Sequence, residues 1–235
     1  MEKTRILDEC PVTVTAGKVT LEGDLCIPSN APGVIIFAHS SGSSRKSTRN
    51  RYVAQVLRQT GLATLLFDLL TGEEEKMDLQ TGRYRFDIRM LANRLAGTIQ
   101  WLKENPETRE MNIGYFGAGT AAAAALMAAA EHPDDIGAVV SRSGRPDLAR
   151  SALPYVKSPT LLIVGGRDLP VMAMNRDAYA ELRAEKKLIV IPGATHGFEE
   201  HGTLEEVARL ATNWFANYLT RKISYSSGLA SARQS

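Results

Sequence analysis

The sequence predicts an α/β fold: a doubly wound, mostly parallel sheet of about eight strands flanked by helices, with no large cap domain. Three observations predict it. Short continuous apolar runs recur along the chain, helical patterns fill the gaps between them, and turn-forming or reactive residues directly follow several of the runs. Runs without a polar side suit strands covered on both faces, as in a parallel sheet between two helix layers.

The first two segments differ from the rest. Residues 12–15 and 19–27 alternate apolar and polar side chains around Ala16-Gly17, which predicts a hairpin with one wet face. The buried-strand runs follow at 34–38, 63–67, 113–116, 136–140, 161–164 and 188–191. Helical patterns occupy 50–59, 85–104, 120–131, 173–185 and 204–219. The stretch 71–83, with Glu73-Glu74-Glu75, is the longest polar connection and reads as a surface loop or a lid segment. No insertion is long enough to build a cap. Residues 1–222 are expected to form one domain, and the Ser-, Gly- and Ala-rich 223–235 a loose tail.

Composition narrows the function classes. The chain has 235 residues, room for one sizeable domain, with 44% apolar and 23% charged residues, the balance of a globular protein. A net charge of +2 implies no pull toward nucleic acid or an anionic membrane. Arg45-Lys46, Arg49 and Arg51 form a basic run that could clasp an anion, although a solvated helix start is the plainer reading. Cys10 and Cys26 make no ligand or redox motif, so neither a metal nor a disulfide framework is expected. The charged N-terminus lacks a signal-peptide core, and the small-residue run 121–130 is too short to span a bilayer. A cytoplasmic location is the expectation, with no cofactor and a small molecule as the partner.

Four features fall directly after predicted strands. They are His39-Ser40-Ser41-Gly42-Ser43-Ser44, Gly117-Ala118-Gly119-Thr120, Gly165-Gly166-Arg167-Asp168 and Gly193-Ala194-Thr195-His196-Gly197-Phe198. Ligand chemistry in open α/β sheets gathers outside the carboxyl ends of the strands, where all four lie. A hydroxyl is a poor nucleophile at neutral pH and needs a base within hydrogen-bond reach. Histidine suits that task because its ordinary pKa lies near working pH, and a carboxylate on its other nitrogen fixes the tautomer. His196 and Asp168 are the candidates; Asp168 also reads as a helix cap before Leu169-Pro170. His132 and His201 read as helix-end surface residues. Tyr115 and Phe116 read as strand core, Phe198 as packing or pocket wall, and Met172 and Met174 as core or the lining of an apolar pocket.

With these marks the chain resembles the dienelactone-hydrolase-related branch of the α/β-hydrolases, over nearly its whole length. The resemblance rests on the His-x-Ser-Gly-Ser-Ser loop, Gly-Tyr-Phe-Gly-Ala, Gly-Gly-x-Asp and Thr-His-Gly-Phe, in that order. It implies an α/β-hydrolase fold and a cofactor-free hydrolase of esters or lactones, with Asp168 as the acid and His196 as the base.

Three departures cluster at the centre. The family's elbow reads Gly-x-Ser-x-Gly or Gly-x-Cys-x-Gly, whereas this chain has Gly119 in the nucleophile's place and Ala121 in the last glycine's. Ser40 follows His39 where the family has glycine. Clustering points to remodelling, natural or engineered. One expectation is a relocated nucleophile: Ser40, with Ser41 as fallback, activated by His196 and Asp168, with the N–H groups of Gly119 and Thr120 as an oxyanion hole. A second is a disarmed scaffold that only binds ligands, since losing the nucleophile from such a triad removes about 10⁶ of turnover. A third takes Gly117-Ala118-Gly119-Thr120-Ala121-Ala122 as a dinucleotide fingerprint, with Arg142 receiving the 2′-phosphate of NADP.

Overall fold

A computed structural model describes residues 9–39 and 44–220 of the chain. Eight strands form one sheet: β1 (Cys10–Ala16), β2 (Val19–Cys26), β3 (Gly33–Ala38), β4 (Ala63–Phe67), β5 (Asn112–Ala118), β6 (Ile136–Arg142), β7 (Thr160–Gly165) and β8 (Lys186–Ile191). Their spatial order is β1-β2-β4-β3-β5-β6-β7-β8. The β1–β2 and β2–β4 pairings are antiparallel and the other five are parallel. Ala16 pairs with Val19, so the hairpin turn is Gly17-Lys18, one residue later than the sequence pattern suggested.

Six helices flank the sheet: α1 (Thr48–Gln59), α2 (Gly72–Thr81), α3 (Ile88–Glu104), α4 (Thr120–Glu131), α5 (Leu169–Glu181) and α6 (Thr203–Leu219). One core cluster holds the apolar faces of α3, α4 and α5 against the sheet, and a second holds those of α1 and α6. Strands between two such layers must be apolar on both faces, and β3, β4 and β7 are buried at every residue. Every residue of α4 from Thr120 to Ala129 is buried, which accounts for a helix with no polar stripe. Tyr115 and Phe116 are strand core, at 0% and 1% exposure.

Two expectations needed revision. The polar connection 71–83 is largely helix α2, not loop. Thr71 and Glu74 form a reciprocal capping box, and Gly82 ends the helix in a left-handed conformation. Its acidic residues face partners: Glu74 accepts two bonds from buried Arg94, at 2.7 and 2.6 Å. Helix α5 starts at Leu169 instead of 173, because the fixed φ of Pro170 suits the first turn of a helix. The predicted tail 223–235 lies outside the described residues, and no helix among those described is long and apolar enough to cross a membrane.

Candidate active site

The parallel strands β3 to β8 all end at one edge, which carries His39, Gly119, Asp168 and His196. Asp168 follows β7 by way of Gly165-Gly166, and His196 follows β8 on the adjacent loop. Main-chain bonds stitch these loops: Gly166 N–H donates to Ile191 O and Arg167 N–H to Ala194 O, each at 2.9 Å. Gly165 is required by this closeness, since a Cβ there would lie 2.5 Å from Thr195 O. The result is a short contact between side chains 28 residues apart: His196 Nδ1 to Asp168 Oδ2, 2.6 Å.

Asp168 occupies the N-cap position of α5, but its side chain makes no cap bond. The carboxylate serves the imidazole instead, and this separates the two readings of Asp168. Its side chain is 13% exposed, whereas that of His196 is 61% exposed. His196 Nε2 has no hydrogen-bond partner among the described residues, so with Nδ1 held by Asp168 it is the nitrogen available to a reactant. A further contact fixes the loop itself: Ser143, just past β6, donates its hydroxyl to His196 O at 3.0 Å. Ser143 has φ of 43°, an uncommon conformation for a residue other than glycine.

Gly119 forms the turn between β5 and α4, with φ of 56° and ψ of −132°. That region is nearly closed to L side chains, and nucleophile elbows hold their reactive residue on such a strained strand-to-helix turn. Gly119 O accepts from Ala122 N–H at 3.3 Å and Arg145 N–H at 2.9 Å, so the backbone alone holds the bend. Thr120 opens the twelve-residue α4, whose N-terminus carries partial positive charge. Ser40 and Ser41 lie outside the described residues.

His39, at the end of β3, is buried, and its Nε2 lies 3.1 Å from Asp68 Oδ1. Asp68 also receives the N–H of Arg45 at 2.9 Å and a short bond from Arg45 Nη1. Burial pushes the Asp68 carboxyl up, but the His39 hydrogen bond, the Arg45 N–H and both positive charges outweigh it, leaving its pKa below the ordinary value. Arg45 therefore belongs to a charge network with Glu22, Asp24 and Asp68, not to a solvated face. Sequence reasoning missed Asp68, although a carboxylate directly after the β4 run was the available signal. A cavity of about 310 Å³ opens beside this network, lined among others by Leu21, His39, Asp68, Leu70, Arg85 and Leu91.

The remaining sequence candidates are placed as follows. Phe198 is 2% exposed and is packing; His201 is exposed, and His132 caps the C-terminal end of α4. Met172 and Met174 are partly buried on α5. Cys10 is exposed and Cys26 buried, and among the described residues neither forms a disulfide. Among the described residues no group of three or more His, Cys, Asp or Glu could hold a metal ion.

Comparison with known proteins agrees with this fold. Residues 21–219 match the model of the dienelactone hydrolase family. A crystal structure of dienelactone hydrolase from Anabaena variabilis superposes with a TM-score of 0.89 at 60% identity, over 91% of this chain and 99% of that one. Est1E from Butyrivibrio proteoclasticus, a structure with ferulic acid bound, gives 0.74 at 16% identity over 88% and 98%, a likeness of fold alone. A Mycobacterium tuberculosis protein named "putative phosphoribosyl transferase" is 53% identical over 208 residues, 88% of this chain but 46% of its own length. The chain thus spans about half the length of the curated relatives it matches.

Proposed function

The chain belongs to the dienelactone hydrolase family, and on that premise we propose that it hydrolyses carboxyl esters or lactones with Asp168 and His196 as its base. The single observation that carries this reading is the 2.6 Å Nδ1–Oδ2 bond, which leaves His196 Nε2 for a reactant. Gly119 stands where the family holds its nucleophile, so the attacking hydroxyl is assigned to Ser40, which follows His39 in the sequence. Ser40 Oγ attacks the ester carbonyl as His196 Nε2 takes its proton. The main-chain N–H groups of Gly119 and Thr120 receive the oxyanion, a role in which one donor contributes about 3 kcal/mol. Collapse expels the alkoxide, which takes the proton back from His196. Water, deprotonated by the same imidazole, then adds to the acyl carbonyl; the bond to Ser40 Oγ breaks, and Oγ takes the proton back from His196 as the acid leaves.

A fluorophosphonate probe followed by peptide mass analysis tests the assignment. Labelling of Ser40 that disappears in Ser40→Ala and in His196→Ala is the expected result. A chain that stays unlabelled overturns it. One observation favours a second reading, a scaffold that binds without turnover: the turn at Gly119 offers no side chain to attack a ligand. That reading predicts saturable thermal stabilisation by an ester with no product formed. A dinucleotide-binding reading of Gly117 to Ala122 would leave the Asp168–His196 pair without a task.

A further inference from the structure

Arg142 closes β6 on the edge that carries His196, one residue before Ser143. Its Nε and Nη1 are shut off from solvent and have no hydrogen-bond acceptor among the described residues. Ser141 packs toward Ala122 and Gly144 on the α4 side, so strand alternation sends Arg142 toward the α1–α6 side. None of the described carboxylates forms a salt bridge with it. The charge that acts on it is Arg49, of the same sign; burial first, then Arg49, push its pKa down to about 10. A guanidinium keeps its proton at neutral pH, so the half-buried Arg142 stays positive with two of its donor atoms unmet.

Arg49 approaches the same loop from α1. A Cβ built on Gly197 would lie 2.8 Å from its Nη1. Its own partner, Glu199 at 3.0 Å, is a largely exposed side chain and neutralises little of the charge. Arg49 sits in the first turn of a twelve-residue helix whose N-cap, Ser47, makes no side-chain cap bond. Unanswered N–H groups at a helix start add positive potential to that of the two guanidinium groups. A doubly charged tetrahedral ion matches two guanidinium groups better than a single carboxylate does.

We propose that Arg142 and Arg49 form a binding site for an oxyanion of the phosphate type, beside the His196-Gly197 segment. The site is independent of ester hydrolysis, and binding alone tests it. Thermal melts of the full chain in inorganic phosphate are compared with melts in sodium chloride of equal ionic strength. Phosphate is expected to raise the melting temperature saturably, by about 3 °C or more once it exceeds its Kd tenfold. Arg142→Met should abolish that rise and melt no lower than the parent in chloride, because it removes an unanswered buried charge. Arg49→Gln should need at least about tenfold more phosphate for the same rise.

Phenyl phosphate separates two sources of the ion. A rise that depends on Arg142 assigns a phosphate carried by an organic ligand, and a response to inorganic phosphate alone assigns the free ion. Equal melting in phosphate and chloride overturns the proposal, as does a full phosphate response in Arg142→Met. Should that variant not fold, the Arg142 Nε–H resonance of the parent gives the answer: a shift on phosphate titration supports the site, and a fixed resonance overturns it.

Discussion

Two histidine–aspartate pairs stand at the same end of the sheet and live in opposite surroundings. The His39 side chain is 6% exposed, and its partner Asp68 also holds Arg45 through main chain and side chain. The His196 side chain is 61% exposed, and among the described residues the Asp168 carboxylate meets the imidazole alone. The same two side chains thus serve different ends. A carboxylate shared among several donors in a closed site is a fastening, which ties β3, β4 and the segment before α1 together. A carboxylate given to one imidazole whose far nitrogen meets solvent supports proton transfer.

The sharpest way to break this comparison is to remove each histidine. His196→Ala should lower turnover of an activated ester by about 10⁴-fold or more with little change in melting. His39→Ala should instead destabilise the fold by about 2 kcal/mol, because it strips a donor from a largely buried, 22% exposed carboxylate. Turnover assays and thermal melts on both variants would show the reverse pattern if the roles are misassigned.

Acidification sharpens the same contrast. The folded-state pKa of Asp68 lies below its unfolded value, so its contribution is fully present above the ordinary carboxylate pKa and is lost as pH falls through the folded value. Asp68→Asn should therefore lower stability by about 2 kcal/mol at neutral pH and flatten the stability–pH curve on the acid side. Chemical denaturation from neutral to acid pH measures both.

Ser143 yields a smaller effect. Ser143→Ala and Ser143→Gly both lose the bond to His196 O, and turnover should fall several-fold in each at unchanged KM, as about 1 kcal/mol of positioning is removed. They should differ in stability. Glycine relieves the positive φ and should melt above alanine, by an amount equivalent to about 1 kcal/mol. Smallest of all, Thr71→Ala should remove the α2 cap at about 1 kcal/mol, with no change in turnover.

Much of this molecule was legible in its residues. Strands β3 to β7 could be read because burial on both faces leaves a nearly uninterrupted apolar run, and the edge strand β8 was read from a similar run although only Ile191 in it is buried. Asp168 and His196 were legible because each follows such a run. Helix α2 was not, because its stability comes from a capping box and ion pairs rather than from an apolar stripe. Thr71 and Glu74, three apart, and Gly82 carried the signal, but a search for hydrophobic period passes over it. Asp68 and Ser143 were missed for another reason: their partners, His39 and the His196 carbonyl, are 29 and 53 residues away. Pairings across strands emerge only once the strand order β4-β3-β5-β6 is known. Arg45 is the same case, since its acidic partners come from β2 and the end of β4.

The bend at Gly119 has a consequence for how such a chain can change over generations. The N–H groups of Ala122 and Arg145 close on its one carbonyl, bonds that need no side chain at the corner. An L side chain held at that φ and ψ carries strain of about 1–3 kcal/mol, and glycine carries none of it. Swapping a reactive residue for glycine there runs downhill in stability, while reinstating one runs uphill. The corner is thus a one-way step in stability: a side chain is lost from it easily and regained only against strain.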